Sequence, residues 1–208
     1  MIQEEEKLWK KGHKVVIGID EAGRGPLAGP VVAGAVFIPK KDFSRLRKNK
    51  FIRDSKELTP KKRKEVYEFL IGSVKWGTGV VSEKTIDRIN IFQATRLAMK
   101  KAIKDFEKRN KIKTDFVILD GMMKIDIEQK QKSIIKADKK VLSCSAASII
   151  AKVTRDEMMI KYDKKYPLYN FKQHKGYGTR EHAKKLKKHG PCPIHRKSFK
   201  CSSLDNAR

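Results

Sequence analysis

The chain of 208 residues contains 50 lysines and arginines against 24 aspartates and glutamates, which gives a formal net charge of +26. Its length fits one domain with a small appendage, and 39% hydrophobic residues is enough for one core. The usual reason for so large a positive charge is a polyanionic partner, most often nucleic acid. Binding to an anionic membrane surface and disorder of the chain are the second and third explanations. The sequence shows no signal peptide, no apolar run of roughly 18 residues that could span a membrane, and no disulfide framework among its three cysteines. We therefore expect a cytoplasmic protein with no membrane partner.

Hydrophobic periodicity predicts the secondary structure. Apolar runs rich in β-branched residues predict four strands and a weaker fifth, at 14–20, 31–38, 74–82, 116–119 and 133–138. Apolar residues three or four positions apart predict helices at about 60–72, 83–109, 141–162 and 179–188. This order predicts an α/β fold in which helices flank a mixed β-sheet.

Charge and composition divide the chain into predicted regions. Residues 1–13 form a charged lead-in, and residues 14–162 contain the predicted sheet and its helices. Over residues 161–200 there are thirteen basic residues and two acidic ones, which is typical of a segment that contacts a phosphate backbone. We therefore predict a basic helical extension at 163–200, followed by a disordered tail at 201–208.

Two adjacent carboxylates, Asp20 and Glu21, end the first predicted strand and precede a loop that contains Gly23, Arg24 and Gly25. Neighbouring residues of a strand point to opposite faces, so both acids can face one site only where the strand ends or bulges. Burying like charges together is costly unless a cation is present. The functional interpretation is a divalent metal site beside a phosphate-binding loop, and the alternative is a tight turn that carries two solvated acids.

Asp120 and Asp138 repeat the pattern, because each ends a predicted strand. Ligands of α/β sheets bind at the carboxyl ends of strands, so acids that are distant in sequence can meet there. Hard oxygen ligands suit Mg²⁺ or Mn²⁺ better than zinc. In so basic a chain, this acidic site indicates phosphodiester chemistry assisted by two metal ions.

Several motifs closely resemble those of bacterial ribonuclease HII, the type 2 ribonuclease H family. They occur in the order of that family across nearly the whole chain. The motifs are GIDEAGRGPLAGPVVAGAV at 18–36, DSK at 54–56, LDG at 119–121, KADKKVLSCSAASIIAKVTRD at 136–156, HKGYGTREH at 174–182 and GPCPIHRKSF at 190–199.

The resemblance implies a ribonuclease H-like fold with a C-terminal helical extension. It implies an endoribonuclease that hydrolyses the RNA strand of RNA–DNA hybrids and cuts at ribonucleotides embedded in duplex DNA, leaving a 3′-hydroxyl and a 5′-phosphate. The residues that match the four-carboxylate metal site of the family are Asp20, Glu21, Asp120 and Asp138. The residues that match its substrate-binding positions are Gly23, Arg24 and Gly25 at the ribose, Tyr177 at the RNA–DNA junction, and Lys56 at a phosphate.

Three other interpretations of the sequence compete with this one. Ribonuclease HIII is the nearest alternative, although it is not expected to carry glycine–arginine–glycine in the first motif and usually has a long N-terminal extension. A non-enzymatic basic nucleic-acid-binding protein explains the charge but not the acids at the strand ends. The spacing of His189, Cys192, His195 and Cys201 fits no strong zinc pattern. We expect a monomer that uses Mn²⁺ or Mg²⁺.

Overall fold

The computed structural model describes residues 4–53 and 58–199, which form a five-stranded mixed sheet with helices on both faces. The strands lie in the order β3-β2-β1-β4-β5. The pairs β1–β2 and β2–β3 are antiparallel, whereas β1–β4 and β4–β5 are parallel. The strand bounds are β1 Val16–Ala22, β2 Val31–Phe37, β3 Lys75–Val81, β4 Phe116–Asp120 and β5 Lys130–Ile134. The predicted α/β class and mixed sheet are confirmed.

The helices of the described residues occur before, between and after the strands. Those predicted from the sequence lie within a few residues of their expected bounds, and the charged lead-in contains a short helix. In chain order they are α1 Glu4–Lys10, α2 Lys40–Arg47, α3 Lys50–Arg53, α4 Pro60–Ser73, α5 Glu83–Asn110, α6 Ala137–Lys140, α7 Leu142–Lys165, α8 Phe171–His174 and α9 Arg180–His189, with a 3₁₀ turn at Pro167–Tyr169. None of them is both long and apolar enough to cross a membrane.

Helix α7 packs on one face of the sheet at very short distance. At Gly34 in β2, an added Cβ would lie 2.6 Å from the carbonyl oxygen of Ala147 and 3.2 Å from the amide nitrogen of Ala151. Small residues on the helix and a glycine in the strand therefore permit this approach together. The opposite face of the sheet buries a second apolar cluster against α5, which includes Ile19, Ala98 and Phe106.

Two strand predictions are wrong in detail. The first strand does not end at Asp20 but pairs regularly with β2 as far as Ala22, so no bulge explains how both acids reach one site. The weak fifth strand was predicted at 133–138, whereas β5 is the polar edge strand Lys130–Ile134. Asp138 accordingly lies not at a strand end but in the first turn of α6, because Lys136 adopts a left-handed conformation that starts this helix.

The C-terminal region packs against the loop that follows β1. The backbone amide of Leu27 donates to Gly176, that of Gly29 donates to Ile194, and that of Arg196 donates to Leu27. Helix α7 crosses the predicted boundary at residue 162 and ends at Lys165. The predicted disordered tail at 201–208 lies outside the described residues.

Candidate active site

A cleft of about 450 Å³ opens where β1 and β4 end side by side. It brings together most of the residues singled out from the sequence, and it adds residues from α4 and α7. The lining residues of the cleft include Asp20, Glu21, Gly23, Arg24, Gly25, Arg63, Asp120, Ser148, Lys152 and Tyr177. The acids, the glycine loop and the basic side chains therefore line the same cleft.

Asp20 is the most buried acid that lines this cleft, with 6% of its surface exposed. One carboxylate oxygen accepts a hydrogen bond from the backbone amide of Glu21 at 2.7 Å. Burial raises the pKa of Asp20 well above its usual value, and the negative charges of Glu21, Asp120 and Asp138 raise it further. The other three carboxyl groups are thus close enough to Asp20 to disfavour its negative charge, a cost that a bound cation would relieve.

Glu21 faces a basic side chain as well as the other acids. Burial raises the pKa of the Glu21 carboxyl, and the nearby guanidinium of Arg24 partly offsets this effect. The Arg24 Nη1 atom lies 3.2 Å from Glu21 Oε1, and half of the arginine side chain is exposed. Arg24 is therefore placed where it can contact both the acid and a phosphate in the cleft.

Asp120 and Asp138 are linked through the start of α6. One oxygen of Asp120 accepts a hydrogen bond of 2.6 Å from the backbone amide of Ala137, the residue before Asp138. Asp138 is buried and is near enough to raise the pKa of Asp20, but it does not line the open part of the cleft. Within residues 4–53 and 58–199, no three His, Cys, Asp or Glu side chains form a ready-made metal cage.

The donor set nevertheless fits a hard divalent cation. All four side chains supply carboxylate oxygens, and at least Asp20 and Glu21 are held in surroundings that disfavour their own negative charge. Such ligands suit Mg²⁺ or Mn²⁺.

Two buried arginines that the sequence reasoning missed hold the glycine loop from behind. The Arg196 guanidinium donates to the carbonyl oxygens of Gly23, Arg24 and Gly29 at 2.6–2.9 Å. Arg155 donates to Ala28 and Pro30, and the charge of each guanidinium is buried. Burial lowers the pKa of Arg196 to about 9. Both arginines lie within the motifs at 136–156 and 190–199, but the sequence did not indicate their role, because their partners are carbonyl groups distant in the chain.

Tyr177 closes the other side of the cleft. Its side chain is 42% exposed, and the Lys152 ammonium and the Arg155 guanidinium each lie 5.8 Å from the centre of its ring. Lys152 also forms a 2.7 Å ion pair with Asp156. The ring is thus partly exposed and has two cations near it.

Three polar cleft residues were not selected from the sequence: Arg63, Ser148 and Lys152. Their types are common, and only the packing of α4 and α7 brings them to the site. Lys56 and the rest of its Asp-Ser-Lys motif lie outside the described residues. The backbone amide of Cys192 donates a hydrogen bond to Nδ1 of His195.

Comparisons with known proteins show which family this sequence matches. A family model described as Ribonuclease HII matches residues 17–202. The ribonuclease HII of Caldicellulosiruptor bescii is 49% identical over 196 residues, which cover 94% of this chain and 91% of the relative. That of Enterococcus faecalis is 49% identical over 200 residues, or 96% and 74% of the two chains.

Solved structures share the fold. The crystal structure of ribonuclease H2 from Pyrococcus horikoshii OT3 is 30% identical, with a TM-score of 0.74 and coverage of 92% of this chain and 97% of that one. Bst-RNase HIII in complex with Mn²⁺ is 19% identical, with a TM-score of 0.74 and coverage of 93% and 70%. The second likeness supports the fold alone.

Proposed function

The chain belongs to the ribonuclease HII family of RNA–DNA hybrid endoribonucleases, and from this premise we propose which of its residues carry the reaction. Asp20, Glu21, Asp120 and Asp138 hold divalent cations, Mn²⁺ or Mg²⁺. The enzyme cuts the RNA strand of hybrids and also cuts at single ribonucleotides embedded in duplex DNA. The observation that carries this proposal is that Asp20, Glu21 and Asp120 line one cleft, where burial, followed by the neighbouring acids, raises the pKa of Asp20.

Other groups of the site hold the acids in place and bind the scissile phosphate. Two bound cations would activate a water molecule and stabilise the leaving 3′ oxygen, so that the products carry a 3′-hydroxyl and a 5′-phosphate. Asp120 is held by the amide of Ala137, which fixes its carboxylate toward the cleft. Arg24 and Lys152 neutralise charge on the substrate backbone. No side-chain nucleophile is required.

The glycine loop reads the ribose. A 2′-hydroxyl is the mark that distinguishes a ribonucleotide from its DNA neighbours. An added Cβ at Gly25 would meet nothing within 4 Å, so this position leaves open space through which a sugar can approach the backbone. Tyr177 packs on the next sugar, where a second 2′-hydroxyl would meet its ring. Lys56 remains a predicted phosphate contact.

The partners follow from the same surface. All four acids, the loop and Tyr177 come from one chain, which supports a monomer as the active unit. The positive charge and the basic region at 163–200 support binding to RNA–DNA hybrids and to duplex DNA that contains ribonucleotides.

The test uses a DNA duplex with one embedded ribonucleotide and a labelled end. We expect cleavage beside the ribonucleotide that requires Mg²⁺ or Mn²⁺, with an all-DNA duplex of the same sequence as the control. The position of the cut and the chemistry of both ends are read by electrophoresis against synthetic markers. Binding without metal-dependent cleavage would favour the non-enzymatic alternative and refute the assignment.

A further inference from the structure

Behind Tyr177 lies a buried cluster of three histidines, His174, His182 and His195, that the reaction does not use. His174 and His182 are stacked, with ring centres 4.4 Å apart and planes 16° from parallel. Phe171 packs its ring against all three histidines, at centroid distances of 5.6–5.8 Å. The cluster is therefore enclosed, and each ring nitrogen needs a suitable partner.

The hydrogen bonds of two of these rings form a directed chain. The backbone amide of Cys192 donates to His195 Nδ1 at 2.8 Å, which is shorter than the 3.2 Å between this nitrogen and the carbonyl oxygen of Cys192, so we assign Nδ1 as an acceptor without a proton. A neutral His195 is then protonated at Nε2, which lies 3.0 Å from His182 Nε2. His182 must accept there, and its proton is on Nδ1, 2.9 Å from the carbonyl oxygen of Tyr177.

The third ring holds the same segment from the other side. The amide of Gly176 donates to His174 Nδ1 at 3.2 Å, and the opposite ring nitrogen lies 2.8 Å from the carbonyl oxygen of Tyr169. The amide of Tyr177 itself donates to the carbonyl of His174 at 2.9 Å. The carbonyl of Tyr177 also accepts from the backbone amide of Thr179 at 2.8 Å, so the main chain of Tyr177 is fixed at both its amide and its carbonyl while its ring remains exposed.

We propose that the chain from Cys192 through His195 and His182 to the Tyr177 carbonyl, here called the histidine relay, positions the tyrosine that reads the RNA–DNA junction. The inference rests on the proposed role of Tyr177 and adds the residues that make this role possible. If His182 were protonated at Nε2 instead, its unprotonated Nδ1 would face the carbonyl oxygen of Tyr177 without a hydrogen bond. Its Nε2–H would also point at the Nε2–H of His195. The relay therefore has one compatible arrangement, with both rings neutral.

The neutral state agrees with the surroundings of the rings. Burial and the neighbouring histidines lower the pKa of His182 to about 4, and burial also lowers the pKa of His195. An added proton on His182 would face the Nε2–H of His195 at hydrogen-bond distance. At neutral pH the relay thus keeps its direction, and His182 and His195 act as positioning residues rather than as proton carriers.

A matched pair of substitutions separates positioning from packing. His182→Asn keeps a donor near the Nδ1 position, and therefore toward Tyr177, but loses the contact with His195. His182→Gln keeps the reach toward His195 but loses the donor to Tyr177. The readout is the ratio of cleavage rates on the single-ribonucleotide duplex and on a long RNA–DNA hybrid. His189→Gln in the same helix, outside the relay, is the control.

We expect the ratio to fall roughly threefold to tenfold in His182→Gln, the loss that one displaced hydrogen bond produces. It should stay within about twofold of the wild-type ratio in His182→Asn, because the contact to Tyr177 is retained. Equal ratios in the two variants would overturn the relay. If the wild-type enzyme cleaves the single-ribonucleotide duplex but Tyr177→Ala keeps the wild-type ratio, the proposed role of Tyr177 is refuted. This result differs from failure of the relay alone, in which Tyr177→Ala lowers the ratio but the two His182 variants have equal ratios.

A direct measurement does not depend on activity or on variants that fold. Long-range ¹H–¹⁵N spectra of the labelled protein distinguish protonated from bare ring nitrogens. We expect His182 to be protonated at Nδ1, the minor form in water, and His195 at Nε2. A His182 protonated at Nε2, or at both nitrogens at neutral pH, would refute the relay.

Discussion

We expect alanine at Gly23 to reduce stability and alanine at Gly25 to reduce activity. Gly23 has φ of +97°, and a Cβ there would overlap the buried Arg155 side chain and lie 2.7 Å from the carbonyl oxygen of Pro30. A left-handed alanine costs about 1–2 kcal/mol and overpacking about 1–3 kcal/mol, so Gly23→Ala should lose about 2–5 kcal/mol. For a chain of this size the melting temperature should fall by roughly 4–20 °C.

Gly25→Ala should leave stability within about 0.5 kcal/mol of the wild type, because its Cβ would meet nothing within 4 Å. The new methyl group would occupy the space that we assign to the ribose, and overpacking of about 1–3 kcal/mol corresponds to a roughly fivefold to hundredfold loss of cleavage. Calorimetry and single-turnover cleavage of the embedded-ribonucleotide duplex measure the two effects. Full activity of Gly25→Ala would refute close approach of the sugar to the loop.

Three further predictions concern the acids, the tyrosine and the basic rim of the cleft. Asp20→Asn should abolish cleavage while hybrid binding persists. Folding raises the pKa of Asp20, so the stability of the metal-free wild type should fall as the pH rises through that pKa. In thermal melts from about pH 4 to 8, the variant should lose less stability than the wild type. If the melting temperature of the variant is instead lower than that of the wild type at every pH, Asp20 has a structural role. Tyr177→Ala should reduce cleavage at a single ribonucleotide by roughly tenfold to a hundredfold and cleavage of long hybrids less, whereas equal losses would contradict junction reading. Lys152→Ala should lower the slope of log affinity against log salt concentration by about one, and an unchanged slope would contradict a phosphate contact of Lys152.

The sequence was most informative where function depends on neighbouring residues. Asp20, Glu21 and the glycine loop are adjacent in the chain, so their shared location could be predicted before any fold was known. The resemblance to the family then connected them with Asp120 and Tyr177. The weak point was Asp138, which periodicity assigned to a strand, because the polar edge strand before it lacks the apolar pattern that identifies buried strands.

By itself, the sequence determined the α/β class, the acids and the loop, because apolar periodicity and motif order are local properties of the chain. The tertiary structure decided how those parts are held in place. Arg155 and Pro30 are 125 positions apart, and Arg196 and Gly23 are 173 positions apart, yet these arginines fix the loop. A backbone carbonyl has no residue identity, so no sequence pattern reveals which arginine or histidine will bind it. Only folding brings a buried donor to each of these carbonyls, where an unmade hydrogen bond would be costly.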